Sequence, residues 1–122
     1  MNEQQFKIWL DALKKVWEER DPNKVGDLCA EKFQWYESPF DKPITKKEQL
    51  VKEWQNILKQ ENIQFSYQIT STKNSMCIAE WNVSFTIVPS KEVIQLAGIF
   101  KFLLNKDGDC IEFHQWYNIK EL

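Results

Sequence analysis

The chain is 122 residues long, the size of one domain, with 43% hydrophobic residues, 28% charged residues and a net charge of −2. No basic run exceeds a pair of lysines and no apolar run approaches the ~20 residues of a membrane span, so neither a nucleic-acid-binding face nor a transmembrane segment is expected. The N-terminal MNEQQFKIW has no basic or apolar leader region, and Cys29, Cys77 and Cys110 are widely spaced and odd in number, which predicts free thiols in a reducing cytoplasm.

The first element reads as a helix. Phe6, Trp9, Leu10, Leu13, Val16 and Trp17 recur at three- and four-residue spacing and form one apolar stripe, with Asn2 as a cap. RDPNK interrupts it. Asp21 as N-cap and Pro22 at the first position then start a second, short helix whose apolar side is Val25, Leu28 and Cys29. FQWYESPFDKP (33–43) follows, strand-like over 33–38. TKKE (45–48) has the pattern of a capping box and opens a third helix through Leu50, Val51, Trp54, Ile57 and Leu58 to about residue 60.

From there the period changes to two. IQFSYQIT (63–70) and CIAEWNVSFTIV (77–88) alternate apolar and polar residues, as antiparallel strands with one covered face do. VIQLAGIFKFLLN (93–105) is a long strand, KDG (106–108) a hairpin turn, and CIEFHQWYNI (110–119) the last strand. The order predicts an α+β domain over 1–122, with three helices laid on a curved, mostly antiparallel sheet.

Phase assigns the faces. Ile94, Leu96, Gly98, Phe100, Phe102 and Leu104 should meet the helices, as should Ile111, Phe113, Gln115, Tyr117 and Ile119. Cys110, Glu112, His114, Trp116 and Asn118 should lie on the other face. Gly98 inside a strand marks a sharp bend or a close approach. Aromatic side chains are abundant, with six Trp, eight Phe and three Tyr. Rigid rings of about 150–250 Å² each leave gaps where they converge. The hollow between helices and sheet is therefore expected to hold a pocket for a small apolar or aromatic molecule. Its candidate lining is Trp35, Tyr36, Ser38, Trp54, Trp81, Phe85, Phe100, Phe113, Gln115 and Tyr117. Of Trp35 and Tyr36, alternation alone does not say which points inward, because a bulge before Pro39 would exchange them.

Several chemistries have no sequence basis. There is one histidine, no H-x-x-x-H and no C-x-x-C, so no metal site is expected. The three glycines stand singly at 26, 98 and 108, which excludes dinucleotide and phosphate loops, and no cofactor is expected. A nucleophile elbow is also absent. Cys110 and His114 would lie roughly 13 Å apart along one strand, too far to act as a pair.

The element order, the strand ending in FQWYESPFDKP and the closing hairpin GIFKFLLNKDGDCIEFHQWYN together resemble the nuclear transport factor 2-like (SnoaL-like) family. That resemblance implies a cone-shaped fold with a pocket between helices and sheet, and frequent homodimers. It covers isomerases, cyclases and hydrolases as well as non-enzymatic binding modules. Enzymes of this family often hold a carboxylate just before the corner proline and, in polyketide cyclases, an Asp on the last strand. The matching positions here are Ser38 and Gln115, neither of which titrates usefully near neutral pH.

Glu37, one residue earlier, is the replacement candidate for a catalytic acid or base. It is expected to be solvated at the strand end unless a bulge turns it inward, where desolvation would raise its pKa. Two readings stand: a non-catalytic small-molecule-binding domain, or a small enzyme with Glu37 as general base. A homodimer through the outer sheet face is expected, because Val93, Ile99, Leu103 and Trp116 interrupt its polar residues.

Overall fold

A computed structural model describes residues 2–122. Helix α1 spans Glu3–Glu18, with Asn2 and Gln5 forming a reciprocal cap at its start. All six residues of the apolar stripe are buried. Arg20 ends the helix in a left-handed conformation (φ 53°). The amides of Arg20 and Asp21 donate back to the carbonyls of Trp17 and Val16, so the last turn closes without a glycine.

The second helix is a 3-10 helix over Pro22–Leu28, and Asp21 makes no side-chain cap bond to it. Cys29 begins strand β1 (Cys29–Tyr36) rather than ending the helix. The expected capping box does not form. Trp35 exchanges two backbone hydrogen bonds with Ile44 (2.9 and 2.8 Å), which keeps the chain extended through Lys46. Helix α2 starts only at Lys47, so its N-cap is Lys46, one residue past Thr45, and the helix ends at Glu53. A 3-10 helix continues it over Trp54–Lys59.

Four long strands complete the chain: β2 (Gln60–Lys73), β3 (Met76–Ile87), β4 (Val93–Leu104) and β5 (Cys110–Glu121). The five-stranded sheet has the order β1-β5-β4-β3-β2 and is mixed, since β1 runs parallel to β5 and the other pairs are antiparallel. The helices cover one face. Trp9 stacks on Phe102 (4.5 Å between ring centroids) and donates its indole N–H to the carbonyl of Leu28. The fold is therefore α+β, as the periodicity predicts.

One face assignment changes. A bulge between Leu103 and Leu104 pairs Leu103 with Glu112 and Leu104 with Cys110. This extra residue turns Cys110 into the core, where it is 1% exposed, and leaves Ile111 half-buried. Side chains of α1 and of the turn after it also grip β2: Glu18 accepts from the amide of Phe65 (2.8 Å), Lys14 donates to its carbonyl (2.6 Å), and Arg20 donates to the carbonyl of Gln60.

Gly98 is the close approach that its place in a strand suggests. A Cβ there would lie 1.8 Å from the carbonyl oxygen of Trp116 and 2.7 Å from the Cα of Tyr117. Backbone cannot yield as a side chain does, so Gly98→Ala is expected to destabilise the chain by about 3 kcal/mol and lower Tm by ~10 °C. Thermal unfolding followed by circular dichroism checks this; an unchanged Tm contradicts the packing described.

Candidate functional site

Strand β1 delivers the central residue. Phe33 and Trp35 are buried toward the helices, while Tyr36 faces the other way. The pairing of Gln34, Trp35 and Tyr36 with Glu112, Phe113 and His114 is regular. Unbroken alternation therefore carries Glu37 inward as well, without a bulge. This corrects the expectation of a solvated strand-end glutamate. Trp54 donates its indole N–H to one carboxylate oxygen (3.0 Å), and the Gln115 amide donates to the other oxygen and to the Glu37 carbonyl.

Burial pushes the Glu37 carboxyl up to about 7, from an ordinary value of 4.5. The Trp54 hydrogen bond opposes that rise, the nearby charge of Glu53 adds to it, and Trp35 and Gln115 oppose it more weakly. The indole N–H of Trp35 is buried without a hydrogen-bond partner.

Glu37 opens on a cavity of about 360 Å³ between α1, the 3-10 extension of α2 and the inner sheet face. Of the residues expected to line it, Trp54, Trp81, Phe85, Phe100, Phe113, Gln115 and Tyr117 are brought together, and Glu37 joins them. Tyr117 is 48% exposed and stands at the mouth.

Three expected residues lie elsewhere. Trp35 is fully buried behind the wall, stacked on Phe113 at 3.9 Å. Tyr36 sits on the opposite face, where it stacks on His114 (4.4 Å), which in turn stacks on Trp116. The Ser38 hydroxyl accepts from the amide of Phe40 (3.1 Å) and so shapes the proline corner. Ser38 lines an adjoining groove with Phe40, Ile99 and Trp116, which meets the cavity at Glu37, Gln115 and Tyr117.

Trp17 and Gln60 are among the lining residues that the sequence did not point to. Trp17 belongs to the α1 stripe and reads as ordinary core. Gln60 is the buried polar residue of the site (7% exposed), and its side-chain oxygen accepts from the Trp17 indole at 2.8 Å. The cause is the 3-10 period: residues three apart eclipse, so Trp54, Ile57 and Gln60 all reach the cavity. The thiol of Cys110 donates to the carbonyl of Glu112, and burial raises its pKa well above the ordinary value. It is an inert core residue on the face away from His114.

A profile of SnoaL-like domains matches residues 10–113. The chain belongs to the SnoaL-like domain family. No curated protein matches its sequence. Among solved structures, the domain is similar to SalBIII, an epoxide hydrolase/cyclase-like enzyme of pyran ring formation in the polyether salinomycin. The TM-score is 0.84 at 10% identity, covering 99% of this chain and 98% of that one. It is also similar to RV0760c from Mycobacterium tuberculosis (TM-score 0.82, 12% identity, 100% and 99% covered). A third similar structure is the Delta 5-3-ketosteroid isomerase from Mycobacterium sp. (TM-score 0.74, 13% identity, 93% and 97% covered). At these identities the likeness shows the fold, a SnoaL-like cone, and leaves chemistry to the residues of the site.

The raised pKa of Glu37 has a definite sign. Between pH 4.5 and about 7 the folded SnoaL-like domain holds a proton that the unfolded chain releases. The resulting stabilisation is complete below the unfolded value and is lost as pH rises through the folded one. From about pH 5 to about pH 8, the wild type is expected to lose on the order of 1–3 kcal/mol more stability than Glu37→Gln does. Urea unfolding of both proteins at the two pH values measures this; parallel pH slopes contradict it.

Proposed function

We propose that this SnoaL-like domain binds a compact, largely apolar molecule in its cavity, with Glu37 and Gln115 as the polar contacts. The observation that carries this reading is a buried carboxyl opening on an aromatic-walled space of about 360 Å³. Clefts walled by aromatic rings with a few convergent polar groups are where small molecules bind, and an acid held there against its desolvation cost needs a use.

A second reading has its own support. A carboxyl near pH 7 is half ionised in neutral solution, and so is suited to take and return a proton as a general base. In this reading the domain is an enzyme of the isomerase, cyclase or hydrolase type, activities named for structures of the same fold. Trp54 and Gln115 would hold the carboxylate in place, and Tyr117 at the mouth is the nearby hydroxyl donor.

Trp17, Trp54 and Trp81 all line the cavity, so indole emission reports its occupancy. Titration with compact terpenoid or aromatic molecules is expected to give saturable quenching or a blue shift with a Kd of about micromolar, weakened ~10-fold in Gln115→Leu. Absence of saturation across such a panel would end the binding reading. Conversion of a bound compound that is abolished in Glu37→Gln decides for the enzyme.

We further propose a cytoplasmic homodimer formed through the outer sheet face. Trp116 and Val93 are 42% and 38% exposed there, Phe40 beside Trp116 is 95% exposed, and Ile99 and Leu103 are half-buried. Three buried free cysteines accord with a reducing compartment. Light scattering at micromolar concentration is expected to return twice the 14.7 kDa chain mass; the mass of one chain refutes the dimer.

A further inference from the structure

The charges around the cavity all have one sign. Its ionisable walls are Glu37 and Glu53, and among the described residues no Lys, Arg or His lines it. Glu37 stands on the inner face, held by Trp54 and Gln115. Glu53 is exposed, one residue before Trp54, at the edge of the opening.

Next to this acidic pole the aromatic rings are set at angles rather than in one plane. Trp54 meets Trp17 edge-on, with centroids 5.3 Å apart and planes inclined by 68°. Trp17 meets Trp81 at 6.0 Å and 44°. Trp81 meets Tyr117 at 5.9 Å and 62°. Four consecutive rings thus turn around the cavity wall, and all four residues line it. Ring faces carry negative potential, and several of them inclined around one space form a box for a cation.

The two features act together. A carboxylate placed in an aromatic box would repel an anionic guest. A neutral guest leaves Glu37 to keep its proton, whereas an ammonium group favours the ionised carboxylate, pairs with it and gains from the rings. From this we infer that the ligand is an organic cation: a protonated amine or quaternary ammonium carrying a compact apolar body. The ammonium lies beside Glu37, among Trp54, Trp17 and Trp81, and the apolar body lies against Phe85, Phe100 and Phe113. This inference rests on the reading of the cavity as a ligand site and adds the class of ligand.

The test compares three compounds of similar size by indole emission: benzyltrimethylammonium, its uncharged carbon isostere neopentylbenzene, and benzoate. The expected result is that the cation binds about tenfold or more tightly than the isostere, and that benzoate does not saturate. Glu37→Gln should reduce the ratio of the two affinities to near one, and Glu53→Gln should reduce it less, since that carboxylate is in water. Thermal melts of both variants confirm that they are folded. If the isostere binds as well as the cation, the cation inference is overturned while the cavity remains a ligand site. Preference for the cation that persists in Glu37→Gln overturns it too, because the charge recognised is then elsewhere. If no compound of either charge binds, the ligand-site reading fails, and this inference with it.

Discussion

Helix α1 has 16 residues and runs about 24 Å, whereas the strands beneath it have 12 to 14 and run about 40 Å or more. A single helix of that length cannot roof the inner face of such a sheet. The rest of the structure answers this mismatch. Trp9 and Trp17 widen the reach of α1, each with its indole N–H bonded, to the Leu28 carbonyl and the Gln60 side chain. The short α2 and its 3-10 tail cover part of what remains. Near Trp9 the rings close into a solid stack with Phe102. Beyond Trp17 they do not, and the space left is the cavity.

Glu37 makes that space more than a packing defect. Apolar rings alone would leave a dry hollow. A carboxyl gripped on both oxygens, by Trp54 from the helical side and by Gln115 from the sheet, couples the two layers across the opening. Hydrogen bonds to a charged group stabilise more than neutral ones, yet here burial outweighs them and the proton stays on until near neutrality. Glu37 rather than Ser38 thus presents its side chain to the cavity, and Ser38 is left to shape the corner.

Most of the fold was legible because period and face are local properties. The α1 stripe, the β3 and β4 alternation and the KDG turn needed no tertiary knowledge. What failed were features decided by contacts distant in sequence. Thr45 lost its cap because Ile44 is held extended by Trp35. Cys110 changed face because of a bulge opposite Leu103. Gln60 joined the site because the third helix tightens to a period of three, which α-helical spacing does not foresee. Glu37 is different: Phe33, Trp35 and Glu37 share one parity, so its inward direction was present in the alternation once Trp35 is taken as buried.

The grip of α1 on β2 and of Ile44 on β1 has a consequence for assembly. β1 and β2 are the two margins of the sheet. At Phe65 the outward amide and carbonyl are taken by Glu18 and Lys14, and at Trp35 they are taken by Ile44. A strand from another molecule therefore finds the docking groups at these positions occupied, which interrupts the margins against the open-ended, fibre-forming extension to which exposed sheet margins are prone.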